Sequence, residues 1–113
     1  PDSIGLGSYN TDSHHVQRVV GPDGFVINEG DFQVGVQPYA IPYRSLTPKA
    51  NECDNLLVVV CMSASHVAYG TIRMEPVYMV MGHAAGNAAA QAVDEKTTVQ
   101  KIAVEKLTAK LKL

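Results

Sequence analysis

Five residues able to bind a ligand or take part in proton transfer lie between an apolar run and an alanine-rich helical pattern: Ser63, Ser65, His66, Gly70 and Arg73. The first N–H groups of a helix lack partners within the helix and stand at the positive end of its dipole. They therefore favour a phosphate, a carboxylate or an electron-rich carbonyl, and Arg73 would add a positive charge. The alternative is structural: the polar side chains cap turns, and Arg73 pairs with Glu75 or Glu29.

A second group of polar residues is Asp12, His14 and His15 in the sequence DSHH. An aspartate beside a histidine can hold the imidazole in one tautomer for acid or base chemistry, and such a group can also bind a metal. No third ligand follows at a suitable spacing, so we predict no metal site. The alternative is a loop held together by hydrogen bonds.

Arg44 lies in PYRSLTP, close in sequence to Tyr39 and Tyr43. Its guanidinium could orient a substrate carboxylate or hydroxyl, or it could anchor the proline-rich loop through backbone carbonyls. The motifs GxSxG, HExxH and the P-loop are absent from the sequence, as is GxGxxG. The 113 residues therefore do not contain a complete dinucleotide-binding domain.

Length and composition favour one globular domain. The chain has 113 residues, 46% of them hydrophobic and 18% charged, with a formal net charge of −2. This charge gives no field that would attract nucleic acid or an anionic membrane, and no run of about twenty apolar residues predicts a membrane span.

We predict that Cys53 is a loop thiol and Cys61 a buried strand thiol. No signal peptide is evident, which leaves open a cytoplasmic, periplasmic or secreted bacterial location.

The first half of the chain predicts short, mainly antiparallel strands. Residues 1–15 have the composition of a loop, with a short strand near Ile4. Residues 15–20 and 25–28 flank GPDG and predict a hairpin. Residues 33–36 could form another extended stretch. Residues 37–52 contain three prolines, so this segment should be extended and irregular.

The second half predicts one buried strand and two helices. NLLVVVCM at 55–62 is a continuous apolar run of strand length, typical of a strand covered on both faces. A helix should begin near residues 74–76, because Pro76 suits a first helical turn. A last helix, capped by Thr97 or Thr98, should run from Val99. Its pattern stops at Leu113 with no capping glycine, which suggests a cut chain. The predicted fold class is therefore α+β.

The alanine-rich helix should bury one face. Its polar stripe consists of His83, Asn87 and Gln91, and its apolar positions lie on the other side: Val77, Met81, Ala84, Ala88 and Ala92. Gly82 and Gly86 should let it approach another backbone closely. We favour packing on a sheet over a membrane dimer, because polar residues interrupt the segment.

Three blocks of the sequence resemble the C-terminal part of a family of FAD-dependent oxidoreductases, whose members are several times longer than this chain. The blocks are IGLGSYNTDSHHVQ at 4–17, PYAIPYRSLTPK at 38–49, and NLLVVVCMSASHVAYGTIRMEPVYMVMGHAAGNAAA at 55–90. Bacterial members often carry the label xanthan lyase, which nothing in these residues supports chemically. The resemblance implies a piece of a flavoprotein of the glutathione-reductase type.

In such proteins an N-terminal GxGxxG binds the FAD pyrophosphate, and the last strand and helix return to close over the flavin. The resemblance thus implies FAD as cofactor and residues 55–62 as the returning strand. Ser65 and His66 would lie near the ribityl chain or flavin, with Gly70 in the same loop. The backbone of Arg73, Met74 and Glu75 would present the helix N-terminus to flavin N1 and O2.

The resemblance also divides the chain into three parts. Residues 1–54 would belong to the substrate domain, 55–96 to the FAD-binding domain, and 97–113 to the start of a helical extension. Asp12, His14 and Arg44 would then be catalytic candidates on the substrate side of the flavin. The expected partners are the N-terminal FAD-binding half and a small-molecule or carbohydrate substrate. Without that half, we expect the chain to bind FAD poorly and to be inactive.

Two other functions remain open at this point. A polysaccharide-handling module could use Tyr39, Tyr43, Arg44 and the histidines to hold an acidic sugar, although an aromatic content of 6% without tryptophan is low for that purpose. A non-enzymatic, self-associating piece could form homo-oligomers through an exposed sheet edge and the alanine-rich helix face.

Overall fold

The computed structural model describes residues 2–15 and 17–112 and has an α+β fold. Its strands are β1 Ser3–Gly7, β2 Thr11–Ser13, β3 Gln17–Val20, β4 Val26–Glu29, β5 Phe32–Val34 and β6 Tyr39–Pro42. Its helices are α1 His66–Ile72, α2 Glu75–Asp94 and α3 Val104–Leu111, with 3₁₀ turns at Tyr43–Leu46 and Val99–Lys101. The prediction of short antiparallel strands followed by helices is confirmed.

The described strands form three antiparallel pairs, β1 with β6, β2 with β5 and β3 with β4. The last pair is the hairpin predicted around GPDG, with Val20 opposite Val26. Gly24 adopts φ +80° in its turn, a conformation that favours glycine. Val16, which the prediction placed in the first strand of the hairpin, lies outside the described residues.

The core forms where α2 packs over the β1–β6 pair and against α3. Ile4, Ile41, Leu46, Met81 and Leu107 are the largest fully buried side chains. Helix α2 begins at the predicted place, with Met74 as its N-cap and Pro76 in its first turn. Its predicted apolar face is buried, as Val77, Met81, Ala84, Ala88 and Ala92 all show.

Two details of α2 differ from the prediction. Gln91 is buried instead of joining a polar stripe, because its amide donates a hydrogen bond to the Ala103 carbonyl at 3.1 Å. A Cβ added at Gly82 or Gly86 would meet nothing within 4 Å among the described residues. The expected close approach of a backbone at these glycines is therefore wrong for this part of the structure.

The predicted strand at 55–62 is wrong, because the structure shows turns, bends and irregular coil there. This segment is hydrogen-bonded to the 3₁₀ turn at Tyr43–Leu46, where the Val58 N–H donates to the Leu46 carbonyl at 2.8 Å. An apolar run becomes a central strand only if strands lie along it to accept and donate a ladder of hydrogen bonds, and here a 3₁₀ turn lies beside it. Cys61 is consequently exposed, and not a buried strand thiol.

The sequence pattern did not predict helix α1. It predicted one last helix from Val99, but the structure divides this segment into a 3₁₀ turn and α3, with Ile102 extended at ψ 150° between them. Tertiary hydrogen bonds hold the break: Val99 N–H donates to the Asp54 carbonyl, and the Val99 carbonyl accepts from the Tyr43 hydroxyl at 2.8 Å. The structure also shows no side-chain hydrogen bond from Thr98 to this turn.

Among the described helices, none combines the length and the apolar character needed to cross a bilayer.

Candidate functional site

Strand β2 and helix α1 are joined by side-chain hydrogen bonds, and this junction positions most of the candidate residues. Thr11 Oγ1 donates to the Val67 carbonyl at 2.7 Å, and His66 Nε2 lies 3.2 Å from Ser13 Oγ. Ser65 caps α1 by accepting a hydrogen bond from Ala68 N–H at 3.2 Å. These bonds stabilise a short helix that the sequence pattern alone does not indicate.

Gly70 allows the close approach of α1 to β2. A Cβ at this position would lie 2.7 Å from the Asp12 carbonyl oxygen and 2.8 Å from Thr11 Oγ1. Backbone cannot move aside as the end of a flexible side chain can, so a larger residue would push α1 away from β2.

Asp12 is the centre of a polar cluster at this junction. It is 7% exposed, and its Oδ1 accepts a hydrogen bond from Arg73 Nη2. Its Oδ2 accepts one from the Tyr9 hydroxyl at 3.4 Å and lies 3.9 Å from His14 Nε2. His14 Nδ1 in turn lies 3.3 Å from Asp31 Oδ1. The buried carboxylate is thus paired with a cation and hydrogen-bonded, as buried charges require.

Two small pockets share the residues of this cluster. The polar pocket has a volume of about 170 Å³ and is lined by Asp12, Ser13, His14, His66, Tyr69, Gly70 and Arg73. The apolar pocket has a volume of about 270 Å³ and is lined by Thr11, Asp12, Ser13, Phe32, His66 and Val67. Asp12, Ser13 and His66 belong to both, so the two pockets adjoin at these residues.

A larger cleft opens at the start of α2. Its volume is about 440 Å³, and its lining consists of Leu6, Ser8, Tyr9, Met74, Pro76, Val77 and Val80. Met74, the N-cap, makes no side-chain capping hydrogen bond. This mostly apolar cleft therefore lies at the N-terminal end of α2, which is the positive end of the helix dipole. We call this the helix-start cleft.

Two tyrosines connect α1 and α2 close to the polar cluster. The hydroxyls of Tyr69 and Tyr78 lie 3.1 Å apart. Desolvation, followed by the hydrogen bond with Tyr69, raises the pKa of Tyr78 to about 12. The Tyr78 phenol therefore stays protonated near neutral pH.

The structure brings together five of the residues that the sequence predicted for the site: Asp12, His14, His66, Gly70 and Arg73. Met74 and Glu75 lie at the N-terminus of α2, as expected. Arg44 lines neither pocket nor the helix-start cleft, and its Nη1 lies 2.8 Å from Asp2 Oδ2 with 77% of its side chain exposed. Arg73 pairs with Asp12 and not with Glu75 or Glu29.

Sequence reasoning missed Tyr9, Ser13 and Phe32. Ser13 stands between Asp12 and His14, so its place in the same motif was the available signal. Tyr9 precedes Asp12 by three residues, and its hydroxyl donates a hydrogen bond to Asp12 Oδ2. Phe32 had no local signal, because β5 brings it to this site by pairing Phe32 with Ser13.

Within residues 2–15 and 17–112 no cluster of three or more His, Cys, Asp or Glu side chains is arranged to hold a metal ion.

Comparison with known proteins gives one informative result. Neither the curated proteins nor the solved structures include a significant match. The model of one protein family, described as FAD dependent oxidoreductase, matches residues 1–111. This match covers nearly all of the 113 residues and agrees with the resemblance of the three sequence blocks. The chain therefore belongs to the FAD dependent oxidoreductase family.

Proposed function

We propose that this chain forms one wall of the FAD site of an oxidoreductase and acts together with a dinucleotide-binding region that carries the glycine-rich motif. FAD supplies the redox chemistry when bound. The chain's own residues would orient the cofactor, exclude water and supply polar groups on the substrate side. By itself the chain is expected to bind FAD weakly and to be inactive.

The helix-start cleft is the observation that carries this proposal. Its volume of about 440 Å³ lies within the range of small-molecule and cofactor sites, which are usually concave and mostly apolar. The backbone N–H groups at the start of α2, those of Met74, Glu75 and Val77 because Pro76 has none, favour an electron-rich carbonyl. They would suit the pyrimidine end of a flavin, and Leu6, Val77 and Val80 would cover the face of its ring.

The other proposed cofactor residues would act indirectly. Ser65 already caps α1, and Gly70 already permits the contact of α1 with β2. We propose that they position the wall on which Arg73 and His66 lie. Arg73, paired with Asp12, would fix the geometry between α1 and α2.

The same proposal assigns the parts of the chain. Residues 1–54 would face the substrate, 55–96 would close over the cofactor, and 97–113 would begin a helical extension. Asp12 and His14 would be the catalytic candidates, because they line the polar pocket. Arg44 has less support, since it pairs with Asp2 away from that pocket.

A polysaccharide-handling role, as the xanthan lyase label implies, has less support. Tyr43 is 4% exposed, with its hydroxyl bonded to the Val99 carbonyl, and the Tyr39 hydroxyl lies 3.0 Å from Thr71 Oγ1. These two tyrosines therefore form no exposed platform for a sugar ring. Self-association is compatible with the FAD proposal. The alanine-rich face of α2 expected to drive it is buried in the core, but Met79 and Val93 of the same helix are exposed.

The experiment is to purify the natural protein that contains these residues and to record its visible flavin absorption with and without added FAD. Val80→Glu and Leu6→Glu each place a carboxylate in the helix-start cleft. Val93→Glu on α2 and Val20→Glu on β3 are matched controls, because both side chains are more than 70% exposed elsewhere. Circular dichroism checks that every variant is folded.

We expect the two cleft variants to retain FAD at least about tenfold more weakly, because a carboxylate is costly to bury against an aromatic ring. The controls should bind as the unaltered protein does. A protein that takes up no FAD, or cleft variants that bind it normally, would refute the proposal.

A further inference from the structure

The apolar pocket beside Ser13 and His66 is a second ligand-sized feature that the helix-start cleft does not include. Its surface is almost wholly apolar, and its lining combines Thr11, Phe32 and Val67 with the polar residues Asp12, Ser13 and His66. Its volume of about 270 Å³ is just below the usual range for drug-sized ligands, so its ligand must be small.

The polar lining offers a hydroxyl and an imidazole already joined at 3.2 Å. Both Ser13 Oγ and the imidazole can donate or accept a hydrogen bond, depending on the tautomer of His66. A ligand hydroxyl has the same dual character, so it can join this pair without leaving a donor or acceptor unsatisfied.

The charges around the pocket argue against an ionic ligand. The titratable groups of the two adjoining pockets are Asp12, His14, His66, Tyr69 and Arg73, and Asp31 reaches them through His14. Arg73 is the fixed cation among them, and Asp12 neutralises it. A carboxylate ligand would therefore meet no free positive charge. An ammonium would find both oxygens of Asp12 engaged, by Arg73 and by Tyr9.

We infer that this pocket binds the substrate of the oxidoreductase, and that this substrate is a small neutral alcohol with an apolar body. That this alcohol is the substrate of the oxidoreductase rests on the proposed function, but its binding to the pocket does not require FAD. Phe32, Val67 and Thr11 would cover the apolar body, and Ser13 with His66 would bind the hydroxyl.

Benzyl alcohol is the probe for this inference, with benzoate and benzylammonium as probes of the same ring and different charge. Amide chemical shifts of the full 113-residue chain are followed by NMR during each titration. We expect benzyl alcohol to shift Ser13, Phe32 and Val67, and both ionic probes to bind at least about tenfold more weakly, because their charges would be desolvated without a partner.

Two variants and one control make the test specific. Phe32→Ala should weaken benzyl alcohol binding about tenfold, because it removes most of the apolar cover. Ser13→Ala, which changes only one oxygen, should weaken it about fivefold through the lost hydrogen bond. Phe25→Ala is the control for Phe32→Ala, because Phe25 is 72% exposed in the hairpin turn. The spectra of all variants also report whether the fold is retained.

The inference is wrong if benzyl alcohol leaves Ser13, Phe32 and Val67 unchanged, if an ionic probe binds more tightly, or if both pocket variants bind normally. FAD binding is tested separately, by the flavin absorption of the natural protein. No FAD uptake there, with benzyl alcohol bound at Ser13, would refute the FAD proposal and leave the alcohol site intact. The opposite result would refute the alcohol site alone.

Discussion

Arg73 donates a hydrogen bond to the carboxylate of Asp12, a residue 61 positions earlier in the chain. The carboxylate is nearly buried, with 9% of the side chain exposed, and the arginine side chain is 34% exposed. This pair ties β2 to the segment between α1 and α2. It therefore joins the region proposed to face the substrate to the region proposed to close over the cofactor.

The first prediction concerns that pair. Asp12→Asn leaves the Arg73 guanidinium without its counterion, so we expect the free energy of unfolding to fall by about 1 to 3 kcal/mol, less than for a fully buried pair. Asp2→Asn is the control, because Arg44, the partner of Asp2, is 77% exposed and such pairs contribute under about 1 kcal/mol. Urea unfolding measures both. Equal losses in the two variants would contradict the importance of the Asp12–Arg73 pair.

The second prediction compares two glycines on helices. Gly70→Ala would place a methyl group 2.7 Å from the Asp12 carbonyl oxygen, so we expect a loss of about 1 to 3 kcal/mol. The added methyl of Gly86→Ala would meet nothing within 4 Å among residues 2–15 and 17–112, and the change should stabilise α2 by up to about 1 kcal/mol, since alanine is the better helix former. Thermal and urea unfolding measure the two effects. Stabilisation by Gly70→Ala would show that α1 does not pack on β2 in this way.

The third prediction concerns the alkaline pH dependence of stability. Burial raises the pKa of Tyr43 from 10.0 to about 12. The neutral phenol is therefore favoured in the folded state, and its contribution is complete below pH 10 and is lost as the pH rises towards 12. In Tyr43→Phe this part of the alkaline loss should disappear. The variant should also lose about 1 to 2 kcal/mol at neutral pH, because the Val99 carbonyl loses its hydrogen bond.

Urea unfolding at several pH values between 8 and 12 checks the Tyr43 prediction. Tyr9→Phe is the control, because Tyr9 is 44% exposed. Identical alkaline slopes for Tyr43→Phe and the unaltered chain would exclude Tyr43 as the group responsible.

The fourth prediction concerns the ion pair between Glu95 and Lys106, whose atoms lie 2.9 Å apart. The hydrogen bond from Lys106 lowers the pKa of Glu95 below 4.5, and the same bond raises the pKa of Lys106 above 10.5. The contribution of Glu95 is present above its unfolded pKa and lost as the pH falls through its lowered folded pKa. That of Lys106 is present below its unfolded pKa and lost as the pH rises through its raised folded pKa.

Lys106→Gln should therefore reduce the change of stability with pH both at acid pH, where Glu95 contributes, and at alkaline pH, where Lys106 contributes. Lys110→Gln, on the same helix, is the control for the loss of one positive charge. Both variants are compared by thermal unfolding at acid, neutral and alkaline pH. A flattening of the same size in the control would indicate a general charge effect instead of this pair.

The alternative for Ser65 was that it caps a turn, and the structure shows a related function, the cap of α1. The strand predicted at 55–62 failed for a different reason. Of residues 55–62 only Met62 is buried, and Leu56 and Val60 are exposed, so the predicted burial on both faces is also wrong. Whether such a run becomes a strand depends on neighbouring strands, which local sequence does not specify.

The sequence by itself determined the elements whose signals are local. Pro76 placed the start of α2, the apolar spacing placed its buried face, and GPDG placed the hairpin. The three sequence blocks indicated the family, which the match over residues 1–111 shows.

Only the tertiary structure decided which of these residues meet. Asp12 and Arg73, Ser13 and His66, and Tyr43 and Val99 are each separated by more than fifty residues and joined by hydrogen bonds. Such pairs form when the burial of apolar surface brings distant segments together, and short-range propensities contain no information about that pairing. Contacts of this kind also divided the predicted last helix at Ile102 and stabilised α1, because hydrogen bonds to distant partners outweighed local helix preference.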